Sequence, residues 1–328
     1  IGRALYATGA LLFYPAAITE QFWFFCLGLY ILTFGLAFLE TTANPYILAM
    51  GDPKTATQRL NLAQAFNPIG LLLGLLVAQQ FVLKNLQSDD IENYSALSES
   101  KKALIRTSDL MVIRDPYVIL GLVILAILVL IAVSKMPQSK GDGSIPSLSH
   151  TFNSLKKNKK YVFGIVAQIF YVGAQIMCWT YIYQYAEAIG MDSETAANYQ
   201  IVAFILFLVG RVIGTYLLRF ISSGKLLLIY AFAAILASLG TMFLVGEIGL
   251  YCLVAMSLCM SVMFPTIYGI ALENLEEEES KIGAAGLVMA IVGGALMPGL
   301  QGKIIDIVEK GYKLGEKIIR FPKVVIGQ

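Results

Sequence analysis

The chain has 328 residues, 57% of them hydrophobic and 14% charged, with a mean hydropathy of +0.71. That is too apolar for a soluble domain and marks an all-α, polytopic membrane protein. The net charge of +2 excludes little by itself, so the placing of the charges along the chain is the useful quantity.

Cys26, Cys178, Cys252 and Cys259 lie in apolar runs without a CxxC pair, which argues against a disulfide framework or a zinc site. His150 is the sole histidine and sits in a polar linker, so histidine chemistry inside the membrane is excluded. The sequence has no GxxxxGK[ST] phosphate loop, nucleophile elbow or metal cluster. An ATP-driven pump is therefore unsupported, and no cofactor or metal is expected.

A bilayer-length helix needs about twenty apolar residues. Nine runs qualify: 4–19, 22–46, 60–83, 116–134, 161–185, 197–219, 225–245, 249–272 and 283–305. The first is read as a span, not a cleaved leader. The polar 84–115 segment is expected outside, with room for some helix. The 135–160 stretch carries Lys135, Lys140, Lys156, Lys157, Lys159 and Lys160 against one acid, Asp142, and lysine-rich loops stay cytoplasmic. Counting from it, Lys54 with Arg59 and Arg219 with Lys225 fall inside. Glu187, Asp192 and Glu194 fall outside. Glu276–Glu279 falls inside against the trend.

Gly2-Arg3-Ala4-Leu5 opens the first run and Gly224-Lys225-Leu226-Leu227 the seventh. This short repeat suggests two bundles: 1–135, about four helices; a basic cytoplasmic linker, 136–160; 161–306, about five helices. A polar tail, 307–328, does not span. Aligned on the repeat, the first half lacks two helices that the second has. The chain is thus expected to be helices three to eleven of a twelve-helix protein.

The polar residues inside the spans carry the functional signal. Of the acids, only Glu40 lies well inside an apolar run, where an ionised carboxylate costs several kcal/mol by most estimates. Glu40 is expected to be proton-sensitive and to exchange a proton as solvent access changes; the plainer reading is a hydrogen-bonded packing residue. Asn44 is one turn further on the same face and is expected to contact substrate. Asn61, Gln64 and Asn67 recur at intervals of three, a stripe of neutral donors and acceptors suited to sugar hydroxyls or to helix–helix glue. Asn61 reads as glue, Gln64 and Asn67 as ligand contacts. Pro68 removes a helical donor and frees a carbonyl. After the linker, Gln168, Tyr171, Gln175 and Trp179 repeat the design. Gln175 is kept as a sugar contact, Trp179 is divided between that role and the interfacial belt, and Tyr181 to Tyr185 go to the belt. Ser257, Ser261, Phe264 and Tyr268 share a further face, with Pro265 able to kink it. Gly283, Gly286, Gly293, Gly294 and Pro298 permit close packing or a broken helix. Arg211, opening GRVIGT, reads as structural or gating, by snorkelling or pairing across an interface.

FLETTANPYI followed by RLNLAQAFNPIG resembles the fucose:proton symporter family of the major facilitator superfamily, and QIFYVGAQ, FPTIYG and IVGGALMPGLQG resemble its later helices. The resemblance runs from Ile1 to about Asp306. It implies a two-bundle helical fold with twelve helices and alternating access. It implies that Glu40 is a proton site and that Gln64 and Asn67 contact sugar. Related glucose/galactose carriers often have Gln at the position of Glu40, which tilts the expectation toward L-fucose. Phe264 matches a sugar-contacting aromatic of the family, with Phe where Tyr is usual. The family's second coupling acid belongs to a first helix that this chain does not include. The expectation is a proton-coupled monosaccharide symporter, monomeric, in a bacterial inner membrane, with sugar, proton and lipid as partners and no nucleic acid. A glucose/galactose-type carrier and a non-transporting sugar sensor are the alternatives, and no enzyme activity is expected.

Overall fold

The structure, a computed structural model, describes residues 1–87, 97–134, 148–310, 312–314 and 317–320. The expectations for 136–147, for the middle of the 84–115 segment and for the end of the tail lie outside the described residues. The elements are helices α1 (Gly2–Leu11), α2 (Phe13–Thr19), α3 (Phe22–Ala49), α4 (Ala56–Gln64), α5 (Phe66–Val77), α6 (Glu99–Val133), α7 (Leu148–Lys157), α8 (Lys159–Ala188), α9 (Ser193–Leu217), α10 (Ser223–Phe243), α11 (Glu247–Met260), α12 (Met263–Leu272), α13 (Glu277–Met289) and α14 (Gly293–Lys310). A small antiparallel ribbon, β1 (Tyr312–Leu314) and β2 (Lys317–Arg320), follows. Large apolar side chains such as Leu122 and Leu130 on α6, Phe163 and Phe170 on α8, and Phe232 and Leu236 on α10 are exposed. Such a surface, on helices that satisfy their own backbone, suits lipid or a further apolar helix.

Among the described residues, eight helices or helix pairs are long and apolar enough to cross a bilayer, where nine runs were expected. The difference is the first run. Pro15 has no N–H for the Leu11 carbonyl, and the helix is interrupted at Leu12 to give the shorter α1 and α2. Three other spans are also jointed, α4–α5 at Ala65, α11–α12 at Ser261–Val262 and α13–α14 at the 3-10 turn Ala290–Val292. The 99–115 part of the polar segment is helical and extends α6.

The chain separates into two compact units, with the boundaries inside α3 and α5. The first comprises Ile1–Asn44 and Gly70–Gly143. Here α1 crosses α3 in backbone contact. A Cβ on Gly9 would stand 2.4 Å from the Leu32 nitrogen, and one on Gly35 2.5 Å from that of Tyr6. Phe13 stacks on Tyr117 of α6 at 3.8 Å. Glu20 closes α2 at a positive φ of 52°, and its carboxylate takes the Arg106 guanidinium at 2.7 Å and the Thr107 hydroxyl. Those two bonds hold its pKa below the usual carboxylate range. Asp109 is buried and accepts the Gln87 N–H at 2.8 Å.

The second unit comprises Pro45–Ile69 and Ser144–Gln328. Arg59 ties the turn from α3 to α4 by donating to the Leu48 carbonyl at 3.1 Å and the Asp52 carbonyl at 2.7 Å. The Asn158 side chain caps α8, and Asp192 caps α9 through Thr195. The acids that run against the charge trend sit beside the basic end of the linker. Lys160 pairs with Glu273, Ser154 donates to Glu279 at 2.5 Å, and Glu276 with Glu279 forms a capping box on α13. Carboxylates favour a helix N-terminus, where backbone N–H groups lack partners. The expected glycine packing is present between α8 and the α13–α14 span. A Cβ on Gly293 would stand 2.0 Å from the Ile169 carbonyl oxygen, and one on Gly286 2.2 Å from the Tyr161 hydroxyl.

Candidate functional site

In the first unit, α3 presents Glu40 half-buried and Asn44 buried, one turn apart. The α1 crossing continues to this level of the helix: a Cβ on Gly2 would meet Phe38 at 2.9 Å and Leu39 at 3.3 Å. The backbone that carries Glu40 is therefore braced by a neighbour that can come no closer.

In the second unit, polar and aromatic side chains converge on the α4–α5 and α11–α12 joints. Gln64 ends α4 and is buried, Asn67 lies beyond the Ala65 joint and is exposed, and Pro68 is buried. Arg211 of α9 is 3% exposed. Its Nε donates to the Ser261 carbonyl at 2.7 Å and its Nη1 to the Gln64 carbonyl at 2.8 Å. Its guanidinium lies over the Phe207 ring at 4.6 Å, a cation–π contact that lowers the cost of burial. Phe207 meets Trp179 edge-on at 5.1 Å, and the Trp179 indole N–H reaches the Ser257 hydroxyl at 3.3 Å. Tyr171 donates to the Met260 carbonyl at 2.9 Å. Phe264 stacks with Tyr268 at 6.2 Å and tilts toward Tyr171 at 6.5 Å.

Of the expected site residues, Arg211 links the Gln64 backbone carbonyl to Trp179 by way of Phe207, whereas Phe264 belongs to a separate aromatic group with Tyr171 and Tyr268. Gln175 is half-buried on α8, one turn from both Tyr171 and Trp179. Pro298 lies inside α14, next to Met297, whose side chain occupies the space above Gly173. Asn61 is fully buried and donates to the Thr266 hydroxyl at 3.3 Å, joining α4 to α12 as the glue it was read to be. Gln168 is fully buried, with neither amide atom hydrogen-bonded among the described residues. Sequence reasoning missed Phe207, an ordinary apolar residue in its run. It also missed the pairing of Trp179 with Ser257, although both polar stripes had been picked out.

What this arrangement offers is neutral hydrogen-bonding groups beside aromatic rings, carried on broken membrane helices. The profile of the Major Facilitator Superfamily matches residues 1–298, and the chain belongs to that superfamily: it is a multi-pass membrane transporter of all-α fold. It is 52% identical to the L-fucose-proton symporter of Haemophilus influenzae, over 98% of this chain and 76% of that protein. A crystal structure of the Escherichia coli fucose:proton symporter is 33% identical and superposes with a TM-score of 0.87, over 93% of this chain and 76% of that one. The glucose/galactose transporter of Brucella abortus is 31% identical over 93% of this chain and 71% of that protein.

Proposed function

We propose that the protein is a proton-coupled symporter of a monosaccharide, L-fucose, working by alternating access in a bacterial inner membrane. The observation that carries the reading is Glu40, an acid well inside a span, in a chain 52% identical to an L-fucose-proton symporter. Protonation neutralises Glu40 and removes the cost of enclosing a charge. Sugar binds through Gln64, Asn67 and Gln175, with its apolar face on Phe264 and Trp179. Neutral amides bind hydroxyl groups without burying an ion. Two helical bundles, 1–135 and 161–306, then move about the bound sugar. Arg211, Pro68 and Pro298 shape the helices that carry these groups.

The test is uptake of labelled L-fucose into proteoliposomes under an inward proton gradient, with unlabelled glucose and galactose as competitors. Accumulation blocked by L-fucose but not by the two hexoses supports the reading. Accumulation of glucose or galactose instead would assign the protein to the hexose carriers. Saturable binding without accumulation of any sugar would make it a sensor.

A further inference from the structure

The α4–α5 and α11–α12 joints share a cause and a remedy. In an α-helix each carbonyl accepts the N–H four residues on. Pro68 is four residues after Gln64, and Pro265 is four residues after Ser261. Proline has no N–H, so the Gln64 and Ser261 carbonyls both lose their helical donors. These are the two carbonyls to which the Arg211 guanidinium donates, at 2.8 and 2.7 Å. An orphaned buried carbonyl and an isolated buried cation are each costly. Here one cation satisfies two carbonyls on two different spans.

The approach is built into the sequence around the arginine. Gly210 and Gly214 flank Arg211, and a Cβ on either would collide with the α11–α12 joint: with the Leu258 carbonyl and the Ser261 hydroxyl at 2.7 Å, and with Val262 at 2.2 Å. Glycine at four-residue spacing lets helix backbones come together. The Thr215 hydroxyl, bonded to the Arg211 carbonyl at 2.7 Å, and the Tyr230 hydroxyl on the Gly210 carbonyl at 3.3 Å hold this turn of α9.

We propose that Arg211 is a positioning residue for sugar binding: its guanidinium bridges the carbonyls orphaned by Pro68 and Pro265. In the conformation described, the bridge sets the end of α4, which carries Gln64, relative to the start of α12, which carries Phe264; it forms in this state and opens when the two bundles move. Arg211 itself does not touch the sugar. The inference rests on the sugar-binding reading above and adds to it the group that sets the spacing of two contacts. Lysine, with a single nitrogen, cannot span two carbonyls with the fixed fork of a guanidinium.

The test uses the full chain in detergent. L-fucose affinity is measured by equilibrium binding, and the melting temperature is followed in parallel. The variants are Arg211→Met, Arg211→Lys, the pair Pro68→Ala with Pro265→Ala, which returns both helical donors, and that pair combined with Arg211→Met, so that a full cycle is measured. Arg211→Met is expected to weaken binding about tenfold and to lower the melting temperature, with Arg211→Lys restoring only part of either. Adding the two alanines is expected to recover most of the melting temperature, and to do so even if Arg211→Met alone yields little folded protein. Purely additive effects of the arginine and proline changes on melting would overturn the bridge. Coupled melting with unchanged L-fucose affinity would overturn the positioning role. A wild-type chain that does not bind L-fucose would instead count against the sugar reading, and the melting series would still decide the bridge.

Discussion

Replacing Gly9 with alanine probes the backbone contact that braces the Glu40 helix. Alanine at an interior helix position is ordinarily favoured over glycine by about 1 kcal/mol. At Gly9 the added carbon would lie 2.4 Å from the Leu32 nitrogen and 2.7 Å from both the Leu32 Cα and the Gly28 carbonyl oxygen. Ordinary contact begins near 3.4 Å, so the helices must part by about 1 Å (3.4 minus 2.4). The obstacles are backbone atoms, so no side-chain rotation relieves them. Overpacking of this kind costs about 1–3 kcal/mol. Taking the upper end against the propensity gain leaves a net destabilisation of about 2 kcal/mol. Gly74 is the control, because a Cβ there meets nothing within 4 Å, and Gly74→Ala should be neutral or stabilising by up to about 1 kcal/mol. Melting in detergent compares the two. Equal melting temperatures for Gly9→Ala and Gly74→Ala would show that α1 and α3 are not in backbone contact.

Three further outcomes are expected. Glu40→Gln should abolish proton-driven accumulation of L-fucose while leaving sugar exchange at least partly intact; a variant that still concentrates sugar would remove Glu40 from coupling. Asn61→Ala and Thr266→Ala should each destabilise the second unit by about 0.6–1 kcal/mol, a usual range for a hydrogen bond between membrane helices. The double variant should cost less than their sum, and strict additivity in a double-mutant cycle would mean the two side chains do not interact. Glu20 is held below the usual carboxylate range by the Thr107 and Arg106 bonds, and Asp192 by its bonds to Thr195. Both carboxylates therefore add stability that is complete above their unfolded pKa values and is lost as pH falls through the lowered ones. Melting followed from neutral to acid pH should fall in that window, and less steeply in Glu20→Gln; an identical slope would show that Glu20 contributes nothing.

Most of the span pattern was legible because a bilayer imposes a length and a composition that can be counted along one chain. The joints were partly legible. Pro68 and Pro265 mark where a helix loses a donor, but only the fold shows that the two freed carbonyls face one guanidinium. Pro15 was just as visible, yet its run was read as a single span, since apolar length says nothing of an internal interruption. Arg211 stood out as a cation inside an apolar run, and both routes considered for it, snorkelling and pairing across an interface, were ordinary. Its actual partners, two carbonyls and an aromatic face, belong to residues that are distant in sequence. The α1–α3 contact went unnoticed for the same reason: Gly9 and Gly35 carry no signal until their helices are known to cross.

In a symporter, sugar and proton cross together. The most direct measurement is the external pH of a weakly buffered suspension of proteoliposomes when L-fucose is added without any imposed proton gradient. Sugar entry is expected to draw protons inward and make the medium more alkaline, and Glu40→Gln vesicles are expected to admit labelled L-fucose with no change in pH. Entry of L-fucose into vesicles of the unaltered protein with the external pH unmoved would contradict symport.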